Sequence, residues 1–401
     1  MDSYDLTSSR FFADPESTFA VMREREPVHF HAGLGAWVLT TYADVSEALR
    51  NPGLSVDRNG AIGRGSNLAV AQSLREVNGI LSQWMPFSDP PRHTRLRSLV
   101  AATFQPHALE HLVPFIDDVV RDLLDRAEER GQLEVVSELG IPLSERVTAF
   151  MLGLPDDAHE QLKRWTEDLF GFIGAGEAPD EVVHANASGV NACRAFIAEI
   201  LAARRGSPRH DLISQLVRDT DGDLSEEELV GLVITLVAGA YETTAHAIGN
   251  GLLVLLRHPA ELERLRRCPE LVESAVEETL RVEGPALSVQ RRAIHDLRIR
   301  DAAIEPRARI YCMLHAANHD PAAFPDPERV DIARSPCRHL GLGLGPHFCL
   351  GAWLTRLEIR CAILETVRRF PGLRLAADEP PRWIANFAIR GLERLPLTWD
   401  R

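Results

Sequence analysis

The chain has 401 residues, with 44 Lys and Arg against 58 Asp and Glu, and its formal net charge of −14 argues against nucleic acid as a partner. Its 45% hydrophobic and 25% charged content suits a large core, and no Gly/Ser-rich or Pro-rich linker divides it, so a single domain over residues 1–401 is expected. No run of about eighteen uncharged apolar residues appears, the start MDSYDLTSSR is polar, and six cysteines (Cys193, Cys268, Cys312, Cys337, Cys349, Cys361) lack CxxC spacing; no membrane anchor, signal peptide or disulfide framework is expected, and a cytoplasmic setting is.

Taken in order, Val28 to His31 and Trp37 to Thr41 read as a hairpin joined through Gly33 and Gly35. Asp44 to Arg50 reads as a helix closed by Asn51, Pro52 and Gly53. From Leu54 to Met85 the chain is punctuated by Gly, Ser and Asn, which predicts a long irregular functional segment. Ser88 to Val100 starts as a turn and enters a helix on which His93 and Arg97, four apart, share a face. Both side chains supply donors suited to carboxylates, whereas Arg92 and Arg95 fit a solvated basic face. Helices are predicted over Pro114–Arg130, Ser144–Leu152 and Asp157–Phe172. A break at Gly171, Gly174, Gly176 and Pro179 follows, then a helix over Glu181–Arg205.

Ser225 to Arg257 is the longest helical pattern, opened by a Ser225/Glu228 capping box and ended by His258-Pro259. At 1.5 Å per residue it spans roughly 50 Å, and it is apolar nearly all round from Leu229 to Ala240, hence buried. In its middle stand Glu242, Thr243 and Thr244. A carboxylate in an apolar helix needs a reason, and a mid-helix threonine that bonds back or opens the ladder to water offers a proton route. Threonines satisfied by their own helix are the alternative. Glu273 to Val282 is a further helix with Glu278 and Arg281 three apart, followed by VEGP and then Arg291, Ala293 and Asp296. Strands are expected over Leu297–Arg300 and Arg309–Leu314 around a turn at Glu305-Pro306. Ala316–Arg334 should be an irregular coil held by polar contacts, and terminal strands should lie near Leu373, Leu375, Trp383–Ile389, Leu395 and Leu397.

The stretch Arg338–Arg356 organises the rest. Gly341, Gly343, Gly345, Pro346 and His347 lead to Cys349, and beyond it Leu350, Leu354, Leu357, Cys361 and Leu364 form one predicted buried helical stripe. Glycine permits close backbone approach to a flat ligand, and a cysteine at a helix N-terminus favours the thiolate. A structural cysteine is one alternative. A zinc staple from Cys337, His339, His347 and Cys349 is another.

The segment resembles the cysteine-ligand loop of the cytochrome P450 family, with Gly345 four before, His347 two before and Gly351 two after Cys349; Leu342 stands where the family usually has phenylalanine. HxxxR, acid-Thr, ExxR, the coil and the cysteine loop also appear in the family's order. The resemblance implies a mainly α fold with a small β-rich subdomain and heme b between the central helix, Ser225–Arg257, and the helix starting near Cys349. The cysteine is then the iron ligand, and His93, Arg97 and Arg291 reach the propionates; Arg292 is the neighbouring alternative. Glu242 and Thr243 deliver protons toward dioxygen, Ala240 replaces the usual glycine two before the acid, and Arg329 or a nearby arginine joins the ExxR pair. The helices flanking the 171–179 break resemble the family's lid.

The implied activity is a monooxygenase placing one oxygen atom of O2 into a mainly apolar small molecule of secondary metabolism. Coupling, desaturation or rearrangement is the same-fold alternative. Without a flavin, nicotinamide or iron–sulfur signature in the chain, ferredoxin and ferredoxin reductase would supply electrons, docking on Arg92, Arg95, Arg338, Arg356 and Arg360. Pocket residues are expected in Ile62–Met85, Leu169–Ile173, Val233–Ala240, Ala286–Val289 and around Phe387, with Tyr241 a polar contact.

Overall fold

In the computed structural model, residues 4–57, 68–155, 158–172, 180–220, 223–376 and 381–400 are described. They fall into two compact units. One comprises Met1–Ser55, Val113–Leu143 and Thr243–Arg401, the other Val56–Leu112 and Ser144–Glu242.

All the named strands belong to the first unit. β-branched and aromatic residues around Gly35, whose φ is +55°, give the predicted hairpin, Val28–His31 against Ala36–Leu39. Ala36–Leu39 then runs parallel to Arg309–Met313, which pairs antiparallel with Ser288–Ala293, and Leu54–Ser55 closes the edge. The strands expected at Leu297–Arg300 and Arg309–Leu314 form as Leu297–Ile299 and Arg309–Met313, with a turn at 306–307 between them, but they do not pair with each other. Leu297–Ile299 instead pairs with Ala302–Ile304, because Arg300, at φ +51°, makes the tight turn. Gln132–Glu134, Pro396–Thr398 and Arg374–Leu375 make a third, small sheet. Leu39, Val45, Leu49, Ile310, Cys312 and Leu340 are buried together beneath the large sheet's hairpin side.

The second unit's described elements are helical, among them Arg92–Ala101, His159–Phe170 and Asp180–Gly206. Here the irregular segment expected over Leu54–Met85 is corrected. Leu68–Leu81 is a helix, and Val70 and Leu74 pack with Val183 and Phe172. Ser73, Asn78 and Gly79 disguised its helical period, but tertiary burial of the apolar stripe outweighs their low propensity. Ser73 bonds His184 at 2.9 Å and Asn191 bonds Glu76 at 2.9 Å. Residues 62–67, 156–157 and 173–179, which carry part of the expected pocket, one helix start and most of the predicted lid break, lie outside the described residues.

Glu226–Arg257 is one continuous helix whose first half is counted with the second unit and whose second half is counted with the first. The capping box forms as the sequence requires. Glu228 N–H donates to Ser225 Oγ at 3.2 Å, and Ser225 N–H donates to Glu228 Oε2 at 3.1 Å. By length and composition this helix is apolar enough to cross a membrane, yet 78% of its most apolar window is buried in protein, the signature of a core helix. His258-Pro259 ends it by starting another helix, Pro259–Arg267, with proline in the first turn.

Candidate active site

The cysteine loop is shaped by backbone that only glycine tolerates well. Gly343 and Gly345 both have φ +74°, and a Cβ on Gly345 would stand 2.9 Å from the carbonyl oxygen of Leu49. Gly343 N–H donates to Leu340 O, Phe348 N–H to Gly345 O, and Cys349 N–H to the buried Leu342's O at 2.8 Å. The helix begins at Ala352 with Gly351 as its cap, so Cys349 lies in the turn just ahead of the helix. From Gly343 to Gly351 no residue is fully buried, and Cys349 is a half-buried cysteine outside any disulfide. By contrast, burial pushes the thiols of Cys193, Cys337 and Cys361 up to about 12 and that of Cys312 to about 11. The predicted stripe beyond Cys349 is corrected. Leu354 and Cys361 are buried, but Leu350, Leu357 and Leu364 are half-buried, and the packed face runs through Glu358, Ile359, Ala362 and Ile363.

The ExxR pair is the most enclosed charge pair of the first unit. Arg281 donates to both oxygens of Glu278 at 2.8 and 2.9 Å, with both side chains fully buried. Its Nη1 donates to Asn318 O, and Asn318 Oδ1 accepts the Leu340 N–H at the start of the cysteine loop. The expected third arginine is Arg334. Its Nε donates to Glu278 at 3.0 and 3.1 Å, while Arg329 contributes its carbonyl oxygen to Arg281 and Arg334. Burial alone would raise the Glu278 pKa, but Arg281, Asp331 N–H and Arg334 bring it below the usual value. Next to it, Glu277 is likewise desolvated yet held down at about 2 by His339 and Arg356. Gly284 and Gly341 let the ExxR helix and the cysteine loop meet, since a Cβ on either would stand within 2.6 Å of Leu280 O. The Glu277–His339–Arg356 cluster and the bridging Asn318 were invisible in the sequence, where nothing ties residues 62 and 79 positions apart.

These contacts correct the zinc-staple alternative. Cys337 Sγ lies 3.7 Å from Glu277 O, and His339 is committed to Glu277 and to Gly341 N–H. Among the described residues, no three of Cys337, His339, His347 and Cys349 converge as a ligand set.

The central helix opens in one place. Leu229–Ala238 and Thr244–Leu255 are buried throughout, whereas Gly239 is exposed and Ala240, Glu242 and Thr243 are half-buried. A Cβ on Gly239 would meet nothing within 4 Å. Thr244 is turned into the core, its Oγ1 3.4 Å from Thr355 Oγ1 on the helix that follows Cys349, which leaves Thr243 as the threonine of the open window. Burial, then the charge of Glu167, raises the Glu242 pKa to about 7, with Lys163 opposing. Tyr241, the expected polar contact, is buried with its hydroxyl unpartnered.

On the remaining predicted residues, Arg291 lies on the buried side of its strand, opposite Ile310, and Arg292 alternates to the other face. His93 is buried on Arg92–Ala101, and burial together with Arg97 lowers its pKa. His347 is half-buried in the Gly345–His347 turn. Leu287 and Phe387 of the expected pocket are buried with Met313 and Phe11.

A family profile named cytochrome P450 matches residues 180–267 and 270–384. Cytochrome P450 107B1 of Saccharopolyspora erythraea is 37% identical over 399 residues, covering 96% of this chain and 95% of its own. The chain belongs to the cytochrome P450 family. The polyketide biosynthesis P450 PksS of Bacillus subtilis is similar at 33% identity, covering 98% and 97% of the two chains. The crystal structure of P450BioI with an acyl carrier protein carrying hexadec-9Z-enoic acid superposes with a TM-score of 0.91 at 33% identity, covering 98% and 99%. This P450 therefore has the family's mainly α fold and is a haem-thiolate monooxygenase. The residues present fit the group. Within the first unit, a half-buried cysteine on a glycine loop and an arginine at 291 on the buried side of its strand suit a thiolate-bound, carboxylate-bearing flat cofactor. When bound, the haem supplies dioxygen activation, with the thiolate pushing electron density that favours O–O cleavage.

Proposed function

We propose that this P450 oxygenates a mainly apolar small molecule of secondary metabolism, with Cys349 as iron ligand and Glu242 and Thr243 as the proton-handling pair. The observation that carries this reading is the open window Gly239–Thr243, in which a carboxyl of pKa about 7 sits beside a threonine within an otherwise buried helix. A carboxyl poised near neutrality can both take and give a proton at working pH. In this reading, His93, Arg97 and Arg291 would hold the haem carboxylates, Gly345, His347 and Gly351 would frame the thiolate, and the small side chain of Ala240 would leave room for the cofactor and its ligand. The polyketide and fatty-acyl names of the similar proteins favour a long or large apolar substrate.

Electrons come from ferredoxin and its reductase in the cytoplasm. Arg92 and Arg95 are engaged by Glu228, and Arg356 by Glu277, so the docking charge is partly offset within the protein. Within the first unit, exposed Trp353, with the Arg356 guanidinium 5.3 Å from its ring, and exposed Arg338 offer a surface for the donor. The test is incorporation of one labelled atom from oxygen-18 gas per turnover of a substrate found by a spin-state binding screen over polyketides and fatty acyl compounds. Product without the label overturns the monooxygenation of that substrate.

A further inference from the structure

Away from the cysteine loop, the first unit carries a second constellation of metal-ligating side chains. His315 lies in the short helix Leu314–Asn318 and His319 caps its C-terminus, four residues on and on the same face, with ring centroids 4.5 Å apart. Glu16, from the helix Pro15–Arg25, brings a carboxylate so that one donor atom from each of the three lies within 4.8 Å of the others. Both histidines are buried, with 5% and 4% of their surface exposed.

Tautomer chemistry narrows the choice of donor atoms. His319 Nδ1 sits 3.0 Å from His315 O, and a carbonyl can only accept, so Nδ1 carries the hydrogen and Nε2 of the neutral ring keeps its lone pair. A ring nitrogen tied to a backbone carbonyl while the other faces a metal is the usual second-shell arrangement of ligating histidines. His315 Nδ1 is buried without a hydrogen-bond partner, with Glu283 Oε2 3.9 Å away. Three guanidiniums act against a cation here: Arg23, which grips Glu16, and Arg281 and Arg390. The charges of Glu283, Asp14 and Glu328 act for it, and Glu328 is exposed.

We propose that Glu16, His315 and His319 form a binding site for one zinc ion, structural in role. Two imidazoles and a carboxylate are a standard zinc donor set, with the fourth position left to water. The ion would clamp the helix Pro15–Arg25 to the segment Leu314–His319, whose Asn318 holds both Arg281 and the start of the cysteine loop. Zinc would thus steady the loop that carries Cys349.

Haem-loaded protein dialysed against a chelator and then against micromolar free zinc tests this, with zinc and iron measured separately. The expected result is one zinc per chain, a raised Tm, and a zinc-edge X-ray absorption spectrum with nitrogen and oxygen neighbours only. His319→Asn keeps a donor for His315 O but removes Nε2, and Glu16→Gln removes the anionic oxygen; each should weaken zinc uptake by more than about tenfold, the scale on which even outer-shell changes act. No zinc uptake by the wild-type protein, sulfur in the zinc shell, or variants that bind zinc as wild type does would each overturn the proposal. The wild-type uptake and X-ray measurements decide even where a variant fails to fold.

Discussion

Two pairs of desolvated carboxylates make opposite use of burial. On the ExxR helix, Glu277 and Glu278 are met by His339, Arg356, Arg281 and Arg334, and both pKa values end below normal. In the second unit, Glu145 and Glu242 are pushed up to about 7, with Lys163 the main opposing charge and Glu145 Oε1 unpartnered. The desolvation is of the same kind, and the partners decide the outcome. A carboxylate matched by cations is fixed in one charge state and serves as architecture. One left nearly unmatched can change its charge near neutral pH and serve chemistry.

The comparison breaks first at its fixed end. Arg281→Ala leaves the fully buried Glu278 carboxylate with Arg334 as its remaining guanidinium and the Asn318 carbonyl without its Arg281 donor, and should cost about 3–5 kcal/mol, read by denaturant unfolding and by loss of haem from the purified protein. At the mobile end, Glu242→Gln should not destabilise the protein, and above pH 7 should stabilise it by removing a desolvated charge, while lowering turnover by about 10²-fold, the lower edge of general acid–base contributions. Equal loss of turnover and of fold would erase the distinction between the two ends.

The two ends also respond to pH in opposite directions. Glu277, lowered from 4.5 to about 2, lends stability that is full above pH 4.5 and is lost as pH falls through 2. Thermal unfolding against pH should show that acid limb in the wild type and flatten in Glu277→Gln. Glu242, raised from 4.5 to about 7, is neutral below that value, so its stabilising effect is lost as pH rises through 7. Where the protonated form is the donor, turnover should fall over the same interval, and Glu242→Gln should abolish that step. The smallest effect belongs to the surface: Trp353→Ala and Arg338→Glu should each raise the KM for the electron donor a few-fold and alter its salt dependence, with folding untouched.

What could be read from the sequence was local. The capping box, the ExxR spacing, the glycines ahead of Cys349 and the acid beside Thr243 each sit within a few residues of their partners or at fixed helical offsets. The partnership of Arg334 with Glu278 spans 56 positions of irregular chain, and nothing in the composition ranks it above Arg329. The helix Leu68–Leu81 was hidden because polar residues interrupt a stripe whose burial depends on Val183, more than a hundred residues away. The strand Arg309–Met313 has three neighbours in sequence that could pair with it, and only packing of the large sheet selects between them. The buried face of Ala352–Arg369 was misread for a related reason. Leucines mark hydrophobicity, but that face includes Glu358 and Thr366, whose burial is tertiary.

The most direct test concerns sulfur and iron. Reduced, carbon-monoxide-treated holoprotein should show the red-shifted Soret band of a thiolate-ligated ferrous carbonyl, and Cys349→Ala should lose that band while Cys337→Ala keeps it. A wild-type spectrum without the band, or a Cys349→Ala protein that retains it, would contradict the account.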